Sequence, residues 1–153
     1  MGRGARDPSE DRAEIRRLVF LYAERLDAGE IDDFARLFER GSLCLEDSAE
    51  RLEGAAAVRE RMETGMRFYA GRPRTQHVVP TVEVAVGADG ETAEASSRFF
   101  VLQALVDFPL QVIVTGRYLD RLVRDSRGEW AFQDRRIFVD LAGDTSRHLV
   151  PVG

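Results

Sequence analysis

Apolar side chains at Ile15, Leu18, Val19, Tyr22 and Leu26 recur at the spacing of one helix face, while Arg16, Arg17, Glu24 and Arg25 fall largely on other faces. Just upstream, Pro8-Ser9-Glu10 forms a helix start, with Asp7 or Ser9 available as cap and proline tolerated in the first turn. The pattern predicts an amphipathic helix over residues 9–26, ended by Ala28-Gly29. Ile31, Phe34, Leu37 and Phe38 predict a second, shorter helix starting near Glu30. Ser42 to Asp47 alternates briefly like a strand, and Gly54 to Tyr69 returns to helical spacing through Val58, Met62, Met66 and Tyr69.

Beyond Gly71-Arg72-Pro73 the period changes to two. Gln76 to Val86, Thr92 to Val106, Leu110 to Arg124 and Glu129 to Leu141 read as four long strands. They are separated by Gly87-Ala88-Asp89-Gly90, Asp107-Phe108-Pro109 and Asp125-Ser126-Arg127-Gly128, connections short enough for antiparallel hairpins. Three helices followed by a meander imply an α+β domain with the helices packed on one face of a curved, mostly antiparallel sheet. We expect a flexible polar arm over residues 1–8 and one domain over 9–150.

Composition narrows the chemistry. The 153 residues are 44% hydrophobic and 32% charged, an ordinary globular balance. Lysine and asparagine are absent, so all 22 basic residues are arginine, and neither Schiff-base nor phosphate-loop lysine chemistry is available. With a single cysteine no disulfide forms within the chain, and Cys44, between Leu43 and Leu45, reads as a small buried hydrophobe. A net charge of −5 with arginines interspersed among acids argues against a nucleic-acid surface. The longest apolar stretch, Phe99 to Val114, is interrupted by Gln103, Asp107 and Pro109 and falls short of a membrane span. We expect a soluble, cytoplasmic protein. Two distant histidines and one cysteine make no zinc set, and no glycine-rich phosphate loop precedes a helix, so neither metal nor nucleotide cofactor is expected.

A few polar residues stand out against this background. Asp27 sits at the end of the first helix, where the macrodipole disfavours an anion; it either serves a site or organises the turn into the second helix. His77 opens the first long strand and carries the side chain type whose charge changes near neutrality. It shares strand parity with Val79, Thr81 and Glu83, opposite the more apolar Val78, Val82, Val84 and Val86, and Pro80 is a candidate bulge that changes the alternation. His148, near the end of the chain, reads as a surface residue, the alternative being that it closes a pocket.

Arg135 and Arg136 interrupt the last strand. Simple alternation groups Arg135 with Ala131, Ile137 and Val139, and Arg136 with Trp130, Phe132 and Phe138. One arginine must face the helix-covered side, where it needs either a carboxylate or an anionic ligand. The aromatic set Trp130, Phe132 and Phe138 exceeds what a solvated sheet face requires, so we expect it to be covered in a subunit interface.

Four segments together carry a family resemblance: Tyr22 to Phe38 (YAERLDAGEIDDFARLF), Thr75-Gln76-His77, Gly116 to Arg121 and Trp130 to Arg136. In this order and spacing the chain resembles the SnoaL-like branch of the nuclear transport factor 2 (NTF2) superfamily. These are cone-shaped α+β domains that include scytalone dehydratase and hexachlorocyclohexane dehydrochlorinase. The resemblance spans Ile15 to Leu149. It implies a catalytic dyad of Asp27 and His77, with Arg135 assisting the leaving group, and no cofactor. The physical logic is coherent: a carboxylate holds the imidazole in the right tautomer, and a guanidinium offsets charge on a departing hydroxide, halide or enolate.

The expectation is therefore a cofactor-independent lyase or isomerase for a hydrophobic cyclic small molecule, with Tyr22, Phe68, Tyr69, Phe99 and Tyr118 as wall residues. The alternatives are a non-catalytic binding or assembly subunit and a polyketide-type cyclase. Similar proteins form dimers or trimers, which fits a homo-oligomer.

Overall fold

The first helix starts where its capping chemistry dictates. Asp7 accepts a hydrogen bond from the Ser9 backbone N–H at 2.9 Å, Pro8 occupies the first turn, and the helix α1 runs Pro8–Ala28. The computed structural model describes residues 6–151, so most of the expected polar arm lies outside the described residues. After α1 come α2 (Ile31–Arg36), β1 (Ser42–Leu45), a 3-10 turn (Glu46–Ser48), β2 (Glu50–Glu53) and α3 (Gly54–Gly65). Four long strands follow: β3 (Thr75–Val86), β4 (Thr92–Leu105), β5 (Phe108–Arg124) and β6 (Trp130–Ala142). The sheet order is β2-β1-β6-β5-β4-β3, and every pairing is antiparallel except β1 with β6. The fold is α+β, a few helices on a curved, open, mostly antiparallel sheet.

The core lies between the helices and the inner sheet face. Ile15, Tyr22 and Leu26 from α1 meet Phe34, Phe38, Val58 and Met62 from the other helical segments and Phe99, Val101, Tyr118, Leu122 and Phe132 from the sheet. Val19 is fully buried on the same stripe of α1, as the periodicity predicts.

Two bulges decide which side chains face that core. In β3, Val78 pairs with Phe100 but Thr81 pairs with Arg98, so Val79 and Pro80 together oppose Phe99. Pro80, which has no N–H to give to the ladder, sits where the ladder is interrupted. Thr75, His77 and Val79 face inward before the bulge, and Val82, Val84 and Val86 after it. In β6, Leu122 pairs with Phe132 and Arg121 with Asp134, leaving Gln133 as the extra residue. Trp130, Phe132 and Arg135 therefore share the inner face, and Arg136 and Phe138 lie on the other. This corrects the simple alternation. It also removes Trp130 and Phe132 from the expected subunit interface, since both are core residues; Phe138 is instead overlaid by the guanidinium groups of Arg117 and Arg136.

Three further departures come from non-local pairing. Glu50–Glu53 forms a strand against β1 that its short alternation did not announce. Phe108 begins β5 as a buried residue instead of belonging to the turn. The helix expected through Tyr69 stops at Gly65, because Met66 adopts an extended conformation and pairs with Leu149 of the chain's last segment.

Gly29 is needed for α1 to end against the approach to β3. Its φ is 74°, and a Cβ there would collide with the carbonyl oxygen of Gly71. Gly54 has φ 82° but open space around the position. Gly29→Ala should cost at least about 2 kcal/mol and Gly54→Ala about 1 kcal/mol, the difference being the collision. Urea unfolding of the two variants checks this, and equal losses would refute the packing argument.

Candidate active site

The close pass of residues 71–75 beside the end of α1 brings β3 to Asp27. Asp27 lies in the last turn of the helix, where the macrodipole opposes its charge, and three donors compensate for that. Oδ1 accepts from the Thr75 hydroxyl at 2.9 Å, and Oδ2 from the His77 backbone N–H at 2.7 Å. The third is the His77 ring, whose Nδ1 is 2.6 Å from Asp27 Oδ1. With the Nδ1 proton directed at the carboxylate, Nε2 is left as the acceptor nitrogen. Asp27 thus contacts the expected partner His77 and also fixes the local chain.

The His77 ring is 7% exposed and forms part of the wall of a cavity of about 350 Å³. That volume falls in the lower part of the range for small-molecule sites, roughly 300–1,000 Å³. Asp27 is not on this wall; it stands behind the ring. Of the expected wall residues, Tyr22, Phe99 and Tyr118 line the cavity. Phe99 and Tyr118 stack with ring centroids 4.3 Å apart, and Tyr22 meets Tyr118 edge-on at 5.4 Å. Burial pushes the Tyr22 phenol up to about 12 and raises Tyr118 well above its ordinary value, so both stay protonated at neutral pH.

Phe68 and Tyr69 do not line the cavity. Since α3 ends at Gly65, Phe68 packs against the edge of the core, and the Tyr69 hydroxyl donates to the Arg147 carbonyl at 2.6 Å.

Arg135 also stands apart from the cavity. Its Nε and Nη2 each lie 2.7 Å from an oxygen of Asp120, a bidentate pair with no exposure of either side chain. The guanidinium carbon is 3.9 Å from the Tyr118 ring centroid and 4.4 Å from that of Tyr22, so these cavity-wall rings cover it. Burial works against its charge, but the Asp120 carboxylate more than offsets this, and the guanidinium remains ionised. Of the two readings open from the sequence, the structure shows the carboxylate partner. Arg135 supports the wall from behind its rings, and its Nη1 is sealed from solvent with no hydrogen-bond partner among the described residues.

His148 corrects the sequence reading in the other direction. It is 7% exposed and lines the same cavity as His77. The segment after β6 folds back over the end of α3: the Arg67 N–H donates to the His148 carbonyl at 2.8 Å and the Val150 N–H to the Gly65 carbonyl at 2.9 Å. Gln103 Nε2 donates to the Arg147 carbonyl at 3.0 Å. Nothing periodic in this segment announces the fold-back; the apolar pair Leu149-Val150 was the available signal. Among the described residues no three His, Cys, Asp or Glu converge as a metal-binding set, and no helix is long and apolar enough to cross a membrane.

Two stability predictions follow from these buried groups. Asp120→Ala leaves a fully buried guanidinium without its partner and should cost about 3–5 kcal/mol, whereas Asp120→Leu combined with Arg135→Met should recover most of that loss. Chemical unfolding of the single and double variants tests it. Burial, reinforced by the neighbouring His77, pushes His148 down from 6.5 to about 4, with Asp27 pulling weakly the other way. Between these values the unfolded chain takes up a proton that the folded one does not. Acidification from pH 6.5 towards 4 should therefore cost the wild type up to about 3 kcal/mol more than it costs His148→Gln. Parallel unfolding curves across that window would contradict the assignment.

The sequence profile of a SnoaL-like domain matches residues 7–136. An NTF2-like protein with a cystatin-like fold from Novosphingobium aromaticivorans superposes with a TM-score of 0.72 at 22% identity, over 90% of this chain and 86% of its own. A scytalone dehydratase-like protein from the same organism gives 0.71 at 20% identity, over 90% and 89%. ActVI-ORFA from Streptomyces coelicolor gives 0.69 at 20% identity, over 84% and 96%. At such identities these likenesses establish the fold. No curated protein matches the sequence significantly.

Proposed function

The chain belongs to the SnoaL-like domain family, and from that membership and the geometry of its cavity we propose a cofactor-independent lyase or isomerase acting on a hydrophobic cyclic small molecule. The observation that carries this reading is the 2.6 Å contact between His77 Nδ1 and Asp27, with the same ring forming part of the wall of an apolar cavity. A neutral imidazole so oriented is a general base, and the carboxylate behind it stabilises the imidazolium formed when it takes a proton.

In the proposed step Nε2 of His77 removes a proton from a ring carbon beside a carbonyl, and the C–H electron pair becomes the enolate double bond. In an elimination that pair then expels a leaving group from the adjacent carbon, and the imidazolium returns its proton to a departing hydroxide as water. In an isomerisation the proton is returned to another atom of the same molecule. The rings of Tyr22, Phe99 and Tyr118 pack the substrate and exclude water, which strengthens every electrostatic interaction inside.

Deuterium exchange from solvent into cyclic ketones and water loss from cyclic β-hydroxyketones test the reading directly. We expect His77→Gln to lower the rate by a factor of about 100 or more and Asp27→Asn to lower kcat more than it raises KM. Ligand binding without exchange or turnover, unchanged in His77→Gln, would instead identify a non-catalytic binding protein.

A further inference from the structure

The Nδ1 atom of His148 is sealed from solvent and has no hydrogen-bond partner among the described residues. Buried polar atoms in native proteins are nearly always paired, so an orphan on the wall of a cavity calls for an explanation. The ring is not what holds its own segment in place. The His148 N–H donates to the Thr145 carbonyl at 3.0 Å, its carbonyl accepts from Arg67, and Leu149 pairs with Met66, all through the main chain. For packing alone a phenyl or isobutyl group would serve as well. The ring lines the cavity, so its unmet hydrogen-bonding capacity lies on that wall.

The surroundings keep this ring neutral. Tyr22, Met62, Met66, Phe99 and Leu149 share its cavity, and the nearby His77 disfavours a second positive charge. The charged groups on the same wall are Glu46, Asp47 and Arg61, and Arg61 is engaged by Glu50 at 3.1 Å. A neutral imidazole can donate or accept one hydrogen bond, and it suits an uncharged oxygen better than a carboxylate or phosphate.

Resting on the reading of this cavity as the active site, we propose that His148 is a substrate-binding residue that hydrogen-bonds a carbonyl or hydroxyl oxygen of the ligand. The substrates would then be oxygenated ring compounds, not bare or halogenated hydrocarbons. His77 and His148 divide the work: the first, backed by Asp27, moves the proton, and the second, with no partner on its Nδ1 among the described residues, recognises oxygen.

The test uses the full chain and two probes of one skeleton, 1-tetralone and tetralin, titrated by NMR with the imidazole nitrogens observed through long-range 15N spectra. Wild type should bind 1-tetralone about tenfold more tightly than tetralin, with the His148 ring nitrogens shifting only for the ketone. His148→Phe should abolish that preference without weakening tetralin binding, and His148→Gln should restore part of it. Equal effects on both probes, unmoved ring nitrogens, or no binding of either probe at millimolar concentration would overturn the proposal. Oxygen-selective binding that depends on His148, without proton exchange from the ketone, would uphold it while refuting the catalytic reading.

Discussion

A guanidinium with no exposure to solvent sits near the centre of this protein, and the arrangement around it sets the rest. Arg135 on β6 and Asp120 on β5 form two hydrogen bonds of 2.7 Å, and the faces of Tyr22, Tyr118 and Phe132 surround the charge. Such a pair is tolerable only when desolvation is offset by good geometry and further contacts. Tyr22 belongs to α1, so the demand for an aromatic face on Arg135 couples the position of that helix to the two central strands. Tyr22 and Asp27 are five residues apart on the same rigid element, roughly 7.5 Å along its axis. Through Tyr22 the ion pair and the Asp27–His77 contact are thus joined by one helix.

The dyad itself resolves a local conflict. An aspartate in the last turn of a helix works against the macrodipole, and in an isolated helix it would be a poor choice. Here the unfavourable position is compensated by the Thr75 hydroxyl, the His77 amide and the His77 ring. The same three contacts dock the start of β3 onto α1, so stability and site geometry draw on one carboxylate. Its removal from the cavity wall keeps the charge behind the imidazole and leaves the wall mainly aromatic and aliphatic.

The far side of the cavity is built differently. The segment after β6 has no regular structure of its own and is held over α3 by main-chain bonds to Gly65 and Arg67, by the Leu149–Met66 bridge and by the side chains of Tyr69 and Gln103. Here α3 gives way to cross-chain pairing: the Met66 N–H still closes on the Met62 carbonyl, but the Gly65 carbonyl accepts from Val150 and the Arg67 N–H donates to His148.

Periodicity along the chain determined the succession of helices and long strands, because whether a segment forms helix or strand is written in the spacing of its own apolar residues. Asp27 and His77 were legible as a pair through the family resemblance, and Asp27 also through its unfavourable place at a helix end. What only the tertiary structure decided is the direction in which side chains face. One extra residue inverts all that follow it in a strand: the irregularity at Val79-Pro80 sets Val82, Val84 and Val86 on the side of His77, and the one at Gln133 puts Arg135 on the side of the core residues Trp130 and Phe132. Partners distant in sequence leave no local trace either, so the sealing of Arg135 by Asp120 and the burial of His148 beneath the returning chain could be settled only once the fold had brought them together.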